Sequence, residues 1–133
     1  MIGAISTALT GLFAASKKVE ASAANIANMG SAGSLDSSSP NQPYRALTTV
    51  QTAMPGGGVS AANIPQKPGF VNAYAPDSPF ADADGLVGTP NVDLAEEAVN
   101  LKIAELSYKA NMNVLKTANE MSGELSRLLD KKA

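Results

Sequence analysis

The sequence has no cysteine, no histidine and no tryptophan, and its 133 residues include only three phenylalanines and three tyrosines. Without cysteine there is no disulfide framework and no thiolate metal site. Without histidine the commonest general base and the commonest zinc ligand are missing. Hydrophobic residues make up 44% of the chain, but much of that is alanine. Burial energy scales with apolar area, at roughly 25 cal/mol per Å², and a chain of one domain or less leaves much surface exposed. Such a chain is expected to need partners to complete its core. Charge is nearly balanced, 10 Lys+Arg against 12 Asp+Glu, with no basic patch of the kind that binds nucleic acid.

Long hydrophobic runs are also missing. Nothing approaches the roughly 20 apolar residues of a membrane span. The apolar stretch up to Ser16 has no Lys or Arg before it, and Ser6, Thr7, Thr10 and Gly11 interrupt it. It lacks the positive segment of a cleaved secretory signal and is not read as one.

Proline is absent from the first 39 and the last 43 residues, while seven of the eight prolines fall between Pro40 and Pro79. Because proline breaks helices, both ends are free to form long ones. The chain divides into a helix over 1–30, a Pro/Gly-rich loop and small β region over 31–91, and a helix over 92–133. In the first helix Ile2, Ile5, Leu9, Leu12, Val19, Ala23 and Ile26, with Ser16 in the remaining slot, recur at alternating steps of three and four. That is a heptad seam. Met29-Gly30 supplies a stop, with Gly30 suited to the left-handed position after the helix.

The last helix starts at Leu94, with Asp93 and Glu96 placed as an acidic variant of the capping box and Pro90 just outside. Its seam reads Val99, Ile103, Leu106, Ala110, Val114, Thr117, Met121, Leu125 and Leu128, an 11-residue pattern that favours a nearly straight path. Leu101, Tyr108, Met112 and Leu115 widen the stripe enough to touch more than one neighbour. Lys131 and Lys132 sit where the helix dipole favours cations. Between the helices, residues 31–42 read as a loop, and 44–54, 59–64 and 70–74 as short strands, with Pro55-Gly56-Gly57-Gly58 as a turn. The fold class is mainly α: two long terminal helices pairing as a coiled-coil-like hairpin around a small irregular β insertion.

No set of residues assembles an enzyme site. Asp82, Asp84 and Gly85 match three positions of a calcium loop, but Phe80 and Asn91 fall where the end carboxylates belong, so the segment reads as a turn. Asp93, Glu96 and Glu97 suit a helix start, where the dipole favours acids. The three glycines lack the Lys and Ser/Thr of a phosphate loop. No cofactor, metal or small-molecule substrate is expected. Asn25 and Asn28, and Asn111 with Asn113, are poor helix residues. Asn25 and Asn28 either fix register on a packed seam or are solvated and help end the helix.

Ala23-Ala24-Asn25-Ile26-Ala27-Asn28 resembles the N-terminal signature of the rod, hook and hook-associated axial proteins of the bacterial flagellum. Pro43-Tyr44-Arg45, Ala81 to Val87 with Pro90-Asn91-Val92-Asp93, and Ser107-Tyr108-Lys109-Ala110-Asn111 with Val114 to Ala118 resemble the FlgC-type, proximal rod branch. These blocks run the length of the chain in the expected order. Met29-Gly30-Ser31-Ala32-Gly33 stands where hook-type members have Pro-Gly, which agrees with that branch. The resemblance implies a structural subunit of the basal-body rod in the periplasm, exported without cleavage by the flagellar type III apparatus. Its implied neighbours are copies of itself, other rod proteins and the membrane-ring protein. The residues that carry the motif are Asn25, Asn28, Pro90, Asn91, Val92, Asp93, Tyr108 and Asn111. The expected assembly seam is Ile5, Leu9, Leu12, Val19, Ile26, Val99, Ile103, Leu106, Val114, Met121, Leu125 and Leu128. From the residues alone, the competing reading is an autonomous helical binding or adaptor module.

Overall fold

A computed structural model describes residues 2–130, with only the backbone of Ile2, Leu129 and Asp130. Lys131 and Lys132, expected to meet the helix dipole, lie outside the described residues. Two helices dominate: α1, Ile2–Asn28, of 27 residues and α2, Leu94–Asp130, of 37. Neither contains proline, so each backbone ladder runs unbroken. They pair antiparallel: Asn25 meets Glu97, Gly11 lies against Asn111 and Ala4 shares a groove with Ala118. In this register α2 from Met121 onward runs past the described start of α1.

The pairing does not use the large aliphatic seams. On α1 the buried or half-buried heptad is Ala8, Gly11, Ala15, Lys18, Ser22 and Asn25, with Ala14 and Ala21 alongside. That face lies one residue, about 100°, from the expected seam. On α2 it is Glu97, Leu101, Ala104, Asn111, Leu115 and Ala118. The physical reason is distance. Small side chains let two helix backbones approach closely, and a Cβ on Gly11 would stand only 2.6 Å from the Asn111 amide. A leucine or valine at Gly11, Ala15 or Ala104 would hold the helices apart.

α1 does not end on a left-handed glycine. Positive φ angles occur at Gly56, Gly57, Gly58 and Gly85, and Gly30 is not among them. The end is closed by local side-chain and backbone bonds instead: Asn28 Nδ2 donates to the Ala24 carbonyl at 2.8 Å, and the Ser31 amide and hydroxyl both donate to the Asn28 carbonyl. With those carbonyls satisfied, no αL residue is required.

The middle forms two antiparallel ribbons. β1, Leu47–Ala53, pairs with β2, Val59–Pro65, and β3, Phe70–Tyr74, pairs with β4, Leu86–Pro90. The expected strand over 44–54 is shorter at both ends, that over 59–64 gains Pro65, and that over 70–74 agrees. β4 is a strand the sequence reading lacks. It contains Gly88 and ends in Pro90, both weak strand formers. Gly88 is there because a Cβ would fall 2.6 Å from the Pro43 ring.

The β1–β2 ribbon lies on α1. The Val59 amide donates to Thr10 Oγ1 at 3.1 Å, and Gly58, at φ 87°, brings the turn so close that a Cβ would overlap that hydroxyl. Residues 31–42 form the expected loop, closed by its own bonds. Asp36 Oδ1 accepts from the amide and hydroxyl of Ser38, the Ser34 amide donates to the Asn41 carbonyl, and Gly33 exchanges two backbone bonds with Gly88. The Ser38 amide, then its hydroxyl, hold the Asp36 carboxyl below its usual value. Asp82 Oδ1 likewise accepts from the amides of Asp84 and Leu86, making the expected turn before β4.

Candidate assembly interface

The polar centre of the molecule is Asn25, 1% exposed, where α1, the start of β1 and the start of α2 meet. Its Nδ2 donates to the Leu47 carbonyl at 2.8 Å and to Glu97 Oε1 at 2.5 Å. Its Oδ1 accepts from the Leu47 amide at 2.7 Å and the Tyr44 hydroxyl at 3.1 Å. The side chain thus pairs with both backbone groups of Leu47, as a neighbouring strand would. Burial, and secondarily the Glu97 carboxylate, raise the Tyr44 phenol above its ordinary value, which favours its donating form. Sequence reasoning reads Glu97 only as a helix-start acid and misses its buried contact with Asn25. The helix dipole accounts for a carboxylate near a helix start, but Glu97 is only 7% exposed. The signal was available: Glu97 falls on the same helix face as Leu101, Ala104 and Ala118.

The other motif residues place the segments around this clamp. Pro43 is wedged against Gly33 and Gly88, Tyr44 reaches Asn25, and the Arg45 guanidinium stands 5.7 Å over the Phe70 ring. Pro90 closes β4 opposite Phe70. The Asn91 amide donates to the Gly69 carbonyl and its Nδ2 to the Pro68 carbonyl, both at 3.2 Å. The Val92 amide donates to the Pro90 carbonyl at 3.0 Å. Asp93 caps α2, its Oδ1 accepting from the amides of Ala95 and Glu96 at 2.7 and 3.2 Å. Only this half of the capping box forms among the described hydrogen bonds. Asn111 Nδ2 donates to the Ser107 carbonyl at 2.8 Å, which holds the side chain flat against Gly11. Tyr108 is half-exposed beside Ser16 and Val19.

The large aliphatic residues are left outside. Leu9, Val19, Val99, Ile103, Val114, Met121 and Leu125 are exposed, as are Leu106 at 71% and Leu128 at 62%, while Ile5, Leu12 and Ile26 are half-buried. The outer surface of α2 is divided. One flank carries Lys102, Glu105 and Lys109, where hydrogen bonds from Lys109 and then Lys102 hold the Glu105 carboxyl down at about 2. The apolar residues occupy the other flank and continue along the part of α2 that outruns α1. Exposed contiguous apolar surface of this kind marks an interaction site.

Comparison with known proteins agrees with this anatomy. A family model described as flagellar basal body rod FlgEFG protein C-terminal matches residues 83–128, from the turn before β4 through most of α2. The chain is 40% identical over 119 residues to the flagellar basal-body rod protein FlgC of Salmonella typhimurium, covering 84% of this chain and 85% of the relative. The chain belongs to the FlgC family of flagellar basal-body rod proteins. The FlgC proteins of Escherichia coli O157:H7 and Yersinia enterocolitica are 39% and 38% identical, with the same shares covered. As a FlgC-family member, the chain is a structural protein of the flagellar basal body.

Proposed function

We propose that the chain is a subunit of the proximal rod that polymerises through its terminal helices into the periplasmic drive shaft carrying torque from motor to hook. The observation that carries this is the inversion of the helix pair: alanine and glycine fill most of the close contact, with Leu101 and Leu115 half-buried among them, while most of the large seam residues stay exposed. Fully burying a large aliphatic side chain contributes about 1.5–3 kcal/mol. The seven exposed seam residues of α2, which on average keep about half of their surface in solvent, retain about 5–10 kcal/mol to gain. That is comparable to the stability of a whole domain, and it is released only against neighbours.

The partners on this reading are copies of the chain, other rod proteins and the membrane-ring protein, after passage through the flagellar type III apparatus. Two separate apolar faces, one on each helix, favour head-to-tail contacts that do not close and therefore make filaments. Close helix approach supplies the stiffness that torque requires. In dilute monomer the described part of α2 that outruns α1 is expected to be loosely held and to order on assembly.

Mass spectrometry of detergent-isolated basal bodies, stripped of hook and filament, tests the reading. Retained peptides of this chain support it, and their absence from intact particles refutes it. A Leu106→Asp variant adds the mechanism: monomer circular dichroism is unchanged while incorporation is lost.

A further inference from the structure

A cleft of about 490 Å³ opens between α1, the β1–β2 ribbon and the first turns of α2, and Glu97 lies in its wall. The residue is 7% exposed, and its one described side-chain hydrogen bond is the neutral one from Asn25 to Oε1. A buried carboxylate is costly unless a cation compensates it. Yet among the described residues no ammonium or guanidinium forms an ion pair with Glu97, although Lys18 and Lys67 reach the rim of the same cleft. Ser22, 2% exposed, also lines it. The site is thus a buried carboxylate at a helix start, held in orientation by Asn25 and facing an open cleft, with the helix dipole but no ion pair among the described residues to offset its charge.

We propose that this cleft receives a lysine or arginine side chain from a neighbouring rod subunit, with Glu97 as its counter-charge and Asn25 as the residue that positions the carboxylate. The proposal rests on the rod-subunit reading and deepens it, adding a polar, orientation-fixing contact to apolar faces that are non-directional. Such a contact fixes register between subunits, which greasy stripes alone do not.

The test separates an intermolecular acid from an internal one. Glu97→Gln keeps an oxygen for the Asn25 amide and removes the charge. In the purified monomer it leaves the melting temperature unchanged or higher, because there the charge has no partner. In a strain carrying it as the sole copy, complete rods fall about tenfold or more, the effect expected for truncating one side of a buried charge pair. Motile revertants of Glu97→Lys carry a basic-to-acidic substitution in another rod subunit or another copy.

Normal rod numbers with Glu97→Gln overturn the proposal. So does a fall in monomer melting temperature as large as that of Asn25→Ala, which would mean that the acid acts inside its own chain. Restoration by substitution of Lys18 within the same chain also overturns it. Failure to find even the wild-type chain in basal bodies instead refutes the rod reading itself.

Discussion

Asn25 and Asn28 belong to one signature and one helix, yet the structure assigns them very different weights. Asn25→Ala removes four hydrogen bonds at a site 1% exposed. It strands the amide and carbonyl of Leu47 and the carboxylate of Glu97. Each unsatisfied buried group costs about 1–3 kcal/mol. Water entering the space left by the amide recovers part of that, and alanine gains about 0.5 kcal/mol of helix propensity. The net loss is about 3 kcal/mol, which for a chain of this size lowers the melting temperature by about 12 °C. Asn28→Ala removes one bond to the Ala24 carbonyl at the helix end, worth about 0.5 kcal/mol net, and the propensity gain cancels it.

Thermal melts and urea titrations of the two variants, followed by circular dichroism, check the difference. Hydrogen exchange at Leu47 localises it, because its amide loses its acceptor only in the Asn25 variant. Equal shifts for the two variants, or a loss below about 1 kcal/mol for Asn25→Ala, refute the clamp. Asn25→Asp adds a sign. It keeps an acceptor for Leu47 but sets a second carboxylate beside Glu97, so it is worse at pH 7 than in mild acid, where the pair shares a proton.

Gly11→Ala drives a Cβ into Asn111 and destabilises the hairpin by about 1 kcal/mol, overpacking outweighing propensity. In an Asn111→Ala background the same change stabilises by about 1 kcal/mol, and a double-mutant cycle of urea midpoints reads that reversal. The raised Tyr44 phenol contributes stability that is complete below about pH 10, its unfolded value, and is lost as pH rises through the higher folded value. Tyr44→Phe flattens that alkaline limb, as melting temperatures between pH 8 and 11 will show. Asp93→Ala removes the cap of α2 and costs about 1 kcal/mol, whereas Asp93→Asn costs a few tenths; urea midpoints check both.

The helices were legible because proline and periodicity are local signals. α1 runs from Ile2, the first residue of its heptad, to Asn28, just before the expected stop at Met29-Gly30, and α2 begins at the expected Leu94. The pairing face was harder to read. A search for heptads weighs leucine and valine heavily, and alanine, glycine and serine lightly. Two heptads share α1, one residue apart, and the louder one faces away from the partner helix. The role of Asn25 was open for another reason: its partners Leu47 and Glu97 are 22 and 72 residues away, and no local pattern reports them. β4 was hidden because its Gly88 answers to Pro43, again a distant residue.

This division of labour between the two heptads explains why the chain pairs its helices at all when so little large apolar surface is buried between them. Hydrophobic burial between alanines is modest, so the hairpin depends on directional contacts at fixed points. Asn25 ties the end of α1 to β1 and to α2, Asn111 rests on Gly11 midway, and Thr10 holds the turn of the first ribbon. Directional contacts set register without consuming leucine. Had the large seams faced inward, the monomer would be more stable, and its outer faces would have little left to offer. With the seams outward, the same residues are available to neighbours, and register inside the subunit is already fixed when they meet. Loosening the clamp should therefore impair assembly before it abolishes helix formation, since the apolar faces survive while the angle at which they are presented does not.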